Sequence, residues 1–184
     1  MAVKPSLGLV ELSSIASGFL VADTMLKTAA VHLVLARTIC SGKYMVLVQG
    51  DVAAVESAVD AGARAAEGAC IDTFVIPNVH ESLPPAIAGL TKVEDLDALG
   101  IIESFSVASL IEGADAMAKT ANIRLIEVRL AMALGGKAFA SCTGSVAAVT
   151  SAVDAGASAI AKKGLLVNKV VIARPRPELL SEMI

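Results

Sequence analysis

The sequence repeats itself once, and this duplication limits the folds available to the chain more than any other feature. The segment GLVELSSIASGFLVADTMLKTAAVHLVLAR (8–37) aligns without gaps with GIIESFSVASLIEGADAMAKTANIRLIEVR (100–129). After two extra residues in the second copy, GKYMVLVQGDVAAVESAVDAGARA (42–65) aligns with GKAFASCTGSVAAVTSAVDAGASA (136–159). The period is about 92 to 96 residues, which is long enough for a small domain in each copy.

The repeat divides the chain into two predicted domains. The first domain is expected over residues 1–80 and the second over residues 99–184. Residues 81–98 are expected to form a linker, because a Pro-Pro pair and an acidic run interrupt the repeat in HESLPPAIAGLTKVEDLDAL (80–99). The linker has room for one short helix.

Each copy has the same order of predicted elements. A short strand, LGLVEL in the first copy, precedes a helix, and two alternating strands then form a hairpin around SGK. A second helix follows Asp51, the expected N-cap, and IDTFVI is the last strand. The apolar residues of the first helix are spaced as one face: Ile15, Phe19, Ala22, Met25 and Ala29. The order β-α-β-β-α-β is that of the ferredoxin-like split unit, so the predicted fold class is α+β with two such units in tandem.

Composition argues against several classes of function. Lys and Arg number 15, Asp and Glu number 18, and the chain has no Trp and one Tyr, so no nucleic-acid-binding surface is expected. The mean hydropathy is +0.73, which is high. Charged residues nevertheless interrupt every apolar segment before it reaches the roughly 18 residues of a membrane helix, so no such helix is expected. The start of the chain lacks the apolar core of a signal peptide. Three scattered cysteines favour a reducing, cytoplasmic setting. A chain with this high an apolar content is expected to bury part of its surface against other subunits.

One cysteine has an unexpected position. Cys40 lies at the tip of the hairpin RTICSGKYMV (37–46), where a thiol is exposed to oxidation. The second copy has Met132 at the matching position, so the shared fold does not require sulfur there. The chain has no CxxC motif, and one cysteine per chain does not hold a metal cluster alone.

Other polar and sulfur-containing residues have simpler interpretations. Cys142 falls within a predicted strand and is interpreted as a small apolar residue. Neither histidine is spaced with another ligand-type residue, so a metal role is not expected for them. Glu11 and Glu103 also stand in strands, where each either holds the backbone of a partner or faces solvent.

The repeated motifs resemble one known family over nearly the whole chain. Both copies have a strand Glu, an AD-x-M-x-K-x-A pattern on the first helix and a GK hairpin, and the first copy adds DVAAVESAVDAGA on the second helix. This combination is similar to the domain of bacterial microcompartment (BMC) shell proteins. Two unpermuted copies in one chain resemble the single-layer tandem class, in which three chains form a pseudohexameric ring that tiles a shell facet. The IC-x-GK hairpin is similar to that of tandem propanediol-utilisation shell proteins that carry an iron–sulfur cluster.

The resemblance implies roles for two groups of residues. The hairpin loops would line the pore at the ring axis, with the residues Cys40, Ser41, Gly42, Ala133, Leu134, Gly135 and Gly136. The ring edge would contact neighbouring tiles through Lys27, Lys119, Asn78 and Arg174. Asn78 stands where the family has an arginine in an I-x-RP motif, so the edge contact of the first copy is expected to differ.

The resemblance also implies a cofactor and partners. Three Cys40 thiolates would meet at the three-fold axis and hold one [4Fe–4S] cluster per trimer, with the fourth iron site open. The expected partners are two further copies in a homotrimer, other BMC shell proteins in a facet and a redox enzyme, with no nucleic acid and no membrane. On this hypothesis the protein is a shell component and not an enzyme, and electrons or a cluster cross the shell at its pore. Two alternatives stay open: a tile without a cluster whose pore conducts a small polar metabolite, and a ferredoxin-like sensor of a small ligand.

Overall fold

The fold is given by a computed structural model that describes residues 5–182, with the side chains of 180–182 outside that description. The chain divides into two compact units, Met1–Val79 and His80–Ile184. The first unit contains β1 (Ser6–Leu12), α1 (Ile15–Thr28), β2 (His32–Ile39), β3 (Lys43–Gly50), α2 (Val52–Ala65) and β4 (Cys70–Ile76). The second contains α3 (Leu83–Ile87), β5 (Ala98–Ser104), α4 (Val107–Thr120), β6 (Arg124–Arg129), β7 (Ala138–Gly144), α5 (Val146–Ala161) and β8 (Leu166–Ala173). Apart from α3, each unit has the order β-α-β-β-α-β, and the predicted fold is confirmed. Among the described residues, no helix has the length and apolar character needed to span a membrane.

Each unit is built on one antiparallel sheet. The strand orders are β2-β3-β1-β4 and β6-β7-β5-β8, so the hairpin strand that follows the first helix lies at one edge of each sheet. Pairing along β1 and β5 is the same in the two units: Glu11 lies opposite Met45, and Glu103 lies opposite Phe139. The duplication seen in the sequence is therefore a duplication of topology and register.

The second long helix of each unit packs close to the central strand. A Cβ atom added to Gly8 of β1 would lie 2.5 Å from side-chain carbons of Val55 and Val59 on α2. At the equivalent Gly100 of β5, the added atom would lie 2.6 Å from Val149 on α5. Both distances are shorter than real Cβ contacts, so glycine at this strand position allows the close helix–sheet contact.

Serine residues cap three of the four long helices. Ser14, Ser106 and Ser145 each accept a hydrogen bond at the side-chain oxygen from a backbone N–H in the first turn. Asp51 occupies the N-cap position of α2, but its side chain makes no capping hydrogen bond, so the expected role of this carboxylate is wrong although the position is right.

The two equivalent helices α1 and α4 differ greatly in the number of residues that they bury. Helix α4 buries ten of its residues, whereas α1 buries only Gly18, Val21, Ala22 and Met25. Of the predicted apolar face of α1, Ala22 and Met25 lie in the core and Ala29 packs against it, whereas Ile15 and Phe19 are exposed. The exposed apolar residues of α1 are Ile15, Phe19, Leu20 and Leu26.

The segment between the repeats belongs to the second unit. Helix α3 packs against β6, and Val93 lies in a small cluster with Leu99 of β5 and Ile126 of β6. Leu99 is on the sheet face opposite α5, because its neighbour Gly100 is on the helix face and strand side chains alternate. The linker thus covers part of the second sheet face.

Candidate pore loops and edge sites

The hairpin that carries Cys40 has a compact turn. Strands β2 and β3 are joined by the single 3-10 turn Cys40–Gly42, and Ile39 pairs with Lys43 on its two sides. Ser41 and Gly42 both have left-handed backbones, with φ of 67° and 70°. A Cβ atom added to Gly42 would meet nothing within 4 Å, and the side chain of Cys40 is partly exposed. The first-copy loop is therefore tight and leaves open space beside the backbone next to the thiol.

The corresponding loop of the second copy is longer and conformationally strained. Between β6 and β7, the residues with positive φ are Ala131, Ala133, Gly135 and Gly136. A left-handed conformation costs an alanine roughly 1–2 kcal/mol, and such strain is concentrated at functional sites. Met132, which occupies the position of Cys40, is 51% exposed at this loop. The two loops thus differ in length, backbone and sulfur chemistry.

A lysine and a strand glutamate tie each hairpin to its sheet. Lys43 donates to Glu11 Oε1 at 2.8 Å, and Lys137 lies 2.7 Å from Glu103 Oε1. The Glu11 side chain is 1% exposed and its second oxygen has no hydrogen-bond partner, whereas Glu103 is 29% exposed. Glu11 and Glu103 thus each pair with the lysine of their own hairpin. Because Glu11 is buried within its unit, the solvent-facing alternative is wrong for Glu11. The sequence feature that could have indicated this lysine–glutamate pairing is the GK motif, which recurs together with the strand glutamate in both copies.

The chain places its three thiols in different environments. None of the cysteines, all of which are described, forms a disulfide. Burial raises the pKa of the Cys142 thiol to about 12, and burial together with the Asp72 charge raises the pKa of Cys70. Within the described part of one chain, no three His, Cys, Asp or Glu side chains converge as metal ligands. A cluster held through Cys40 would therefore need thiols from several chains.

The two predicted edge lysines lie in unlike surroundings. Lys27 is 74% exposed and pairs with Asp23 at 2.6 Å on the same exposed helix surface. Lys119 makes the equivalent pair with Asp115, but that carboxylate is 6% exposed and also accepts a hydrogen bond from the backbone N–H of His80 at 2.8 Å. The backbone of His80, just before the linker, therefore fixes the lysine pair of the second copy, while the pair of the first copy stays open to solvent.

The other two predicted edge residues share one backbone conformation. Asn78 and Arg174 are both exposed, with φ of 52° and 50°. Asparagine tolerates the left-handed region, but arginine does so only at a cost. The turn after the last strand of the second copy therefore has the same left-handed backbone as that of the first copy, at a conformational cost for Arg174.

Comparison with known proteins identifies the repeated fold. The model of the BMC domain matches residues 6–79 and 98–175. The bacterial microcompartment shell protein PduT of Citrobacter freundii is 40% identical over 182 residues, which cover 99% of each chain. The single-domain-length shell protein EutM of Salmonella typhimurium is 43% identical over 84 residues, 46% of this chain and 85% of that protein. The crystal structure of a microcompartments protein from Desulfitobacterium hafniense superposes with a TM-score of 0.90 and 49% identity, covering 96% of this chain and 98% of that one.

Proposed function

Because the chain belongs to the BMC-domain family of microcompartment shell proteins, we propose that three copies form a ring of six domains that tiles a shell facet. The proposal rests on one observation: the two copies of the fold expose different amounts of apolar surface. A ring built from a duplicated domain has two kinds of domain junction, one within each chain and one between chains. The junction between chains has to be made by surfaces that are exposed on a single chain.

The exposed surface of α1 has the character of such a junction. Phe19 and Leu20 are 65% and 57% exposed, while Ile111, the equivalent of Phe19 on α4, is fully buried. Edge strand β2 shows the same contrast, since Leu33 is 45% exposed and its counterpart Leu125 on β6 is fully buried. A contiguous exposed apolar patch on a folded chain marks a protein–protein interface. We infer that α1 and β2 of one chain pack against the second unit of the next chain, which closes the ring.

The tile edge would carry two alternating kinds of contact. Lys27 with Asp23 and the turn at Asn78 form one edge, and Lys119 with Asp115 and the turn at Arg174 form the other. Because the second edge is fixed by the backbone of His80 and the first is open, neighbouring shell proteins of the facet would meet a tile with two distinguishable edges. Tile orientation in the facet would then be selective.

The hairpin loops would line the pore at the ring axis. The first-copy loop supplies Cys40, Ser41 and Gly42, and the second-copy loop supplies the segment 133–136, Ala133-Leu134-Gly135-Gly136. Exposed backbone dominates this set, because Gly42, Gly135 and the left-handed Ala133 project little side-chain volume. The short loop and the long loop would alternate around the axis.

Cys40 fits the role of cluster ligand in such a ring. The thiol is partly exposed at a tight turn, the adjacent Gly42 leaves open space, and the three-fold axis would bring three thiols together. These three Cys40 thiolates would hold one [4Fe–4S] cluster, leaving the fourth iron for water or a small ligand. A bound cluster supplies one-electron transfer across the shell, to or from a redox enzyme. The role of the chain is to hold and shield this group, and we propose no catalytic activity.

An alternative is a tile without a cluster, whose pore conducts a small polar metabolite. The glycine-rich, left-handed loops favour it, since they offer backbone N–H and C=O groups to a polar solute. In this case Cys40 would be a redox-sensitive residue of the pore and not a ligand.

Anaerobic purification with iron and sulfide separates the two functions. We expect absorbance near 400 nm, as is general for such clusters, and an iron content that disappears in Cys40→Ser while the trimer persists. The matched control is Cys70→Ser, which removes another partly exposed thiol but lies outside the hairpin. A colourless, iron-free wild-type protein would favour the metabolite pore, and equal iron in Cys40→Ser would move the cluster elsewhere.

A further inference from the structure

The second unit contains an open groove beside the proposed tile edge, and Lys119 of that edge belongs to its lining. The groove has a volume of about 990 Å³ and lies between the linker, the end of α4, and the adjoining ends of β6 and β7. Its walls carry four carboxylates, on Glu81, Glu94, Asp95 and Asp97. The linker wall is not part of the repeat, so the duplication does not account for the groove.

The carboxylates of the groove are available for a ligand. All four residues are exposed, and no ion pair joins any of them to another described residue. The nearby Lys119 does not neutralise them, because it pairs with Asp115 at 2.5 Å. Among the described residues, four carboxylates thus stand against one unpaired cation of the lining, Arg124, so the groove carries net negative charge and favours a cationic ligand.

A buried hydroxyl on the groove floor gives a second, independent indication of a ligand. Thr143 of β7 lines the groove, is only 6% exposed, and its Oγ1 atom has no hydrogen-bond partner. Buried hydroxyls are nearly always paired, because an unpaired one loses its hydration without compensation. Thr143 pairs in register with Arg124, an exposed residue that also lines the groove and has no partner among the described residues. Arg124, a hydrogen-bond donor, and the hydroxyl residue Thr143 thus occupy paired strand positions in a groove that four carboxylates line.

We propose that this groove binds an extended basic segment of another protein. Lysine or arginine side chains of the segment would pair with the four carboxylates, and its backbone would supply a carbonyl for Arg124 and a hydrogen-bond partner for Thr143. Pockets of roughly 300–1,000 Å³ hold drug-sized ligands, so a groove of about 990 Å³ is larger than a single small amine requires. The tile would therefore recruit a partner through a basic, unstructured stretch of chain.

The test uses the purified full-length protein and a defined probe. The probe is a fluorescein-labelled peptide with blocked ends, Ala-Lys-Ala-Arg-Ala-Lys-Ala, measured by fluorescence anisotropy at low and at physiological salt. We expect saturable binding that weakens as salt rises, since exposed charge pairs are screened. The double variant Glu94→Gln/Asp95→Asn is expected to weaken binding about fivefold, as expected for two exposed ion pairs.

Two further variants make the result specific to the groove. The control double variant Glu56→Gln/Asp60→Asn removes the same charge from exposed positions of α2 and is expected to leave binding unchanged. Thr143→Val replaces the unpaired hydroxyl by a methyl group and is expected to weaken binding without loss of thermal stability. Absence of peptide binding, or equal weakening by the two double variants, would overturn the proposal. Equal affinity for spermidine would also overturn it, in favour of a small polyamine.

Discussion

The clearest test of the hairpin architecture is the substitution Lys43→Met. Among the described residues, Lys43 is the one side chain that pairs with Glu11, which is 1% exposed and already has one oxygen without a hydrogen bond. Methionine keeps the apolar length of the lysine side chain but leaves the carboxylate buried and unpaired. Breaking a buried ion pair by removing one partner costs about 3–5 kcal/mol. We expect a loss of stability in that range.

The second copy provides a matched control, Lys137→Met. This lysine pairs with Glu103 at a similar distance, but the two side chains are 41% and 29% exposed. Water can therefore solvate Glu103 when its partner is removed, and an exposed pair contributes only about 0.2–1 kcal/mol. The same substitution at equivalent positions of one chain should thus have unequal effects.

Thermal unfolding monitored by circular dichroism measures the difference. For a chain of this size, a loss of 1 kcal/mol lowers Tm by roughly 2–4 °C, so Lys43→Met should lower Tm by about 6–20 °C. Lys137→Met should lower Tm by less than about 4 °C. Equal shifts in the two variants would refute the argument that the burial of the glutamate decides the cost.

Three other variants or probes test separate parts of the account. Phe19→Asp places a charge on the exposed face of α1 and should convert the proposed trimer to monomers in light scattering. Leu90→Asp, at a linker residue that is 73% exposed, should leave the oligomeric state unchanged. A trimeric Phe19→Asp protein would exclude α1 from the interface. Maleimide should not label Cys142 at pH 8 without denaturant, because the thiol is fully buried and its pKa is raised to about 12, and rapid native labelling would contradict this burial. Burial raises the pKa of Glu127 above its ordinary value of 4.5, against the opposing effect of Arg129, so the folded chain retains the proton to higher pH than the unfolded chain. The free energy of unfolding should therefore fall as pH rises from 4.5 through the folded-state pKa of Glu127. Urea titrations should show a smaller fall in the variant Glu127→Gln. An unchanged pH profile in this variant would contradict the burial argument.

The fold was predictable because the sequence contains it twice. Each strand and helix could be read in two versions, and a pattern found in both copies is a property of the fold. Glu11 matches Glu103 in the repeat, and the two GK motifs match each other. Their pairing across strands was not predicted, because sequence spacing does not say which residues of separate strands meet.

Differences between the copies were harder to predict. The apolar residues of α1 and α4 follow the same pattern, yet Phe19 is exposed and Ile111 is buried, and no local signal distinguishes them. Burial here depends on contacts that only the folded chain defines. The groove was missed for a similar reason: the acidic run at Glu94 and Asp95 indicated a linker, and only its placement over the second sheet brings it near Thr143.

The central claim is that three chains share one cluster through Cys40 at the pore. Native mass spectrometry of the protein purified without oxygen tests this claim most directly, since one spectrum reports both the number of chains and the mass of any bound group. We predict a species of three chains plus one [4Fe–4S] cluster, which becomes three chains without added mass in Cys40→Ser. A monomer, a dimer, or a trimer without iron from a preparation supplied with iron and sulfide would contradict the account.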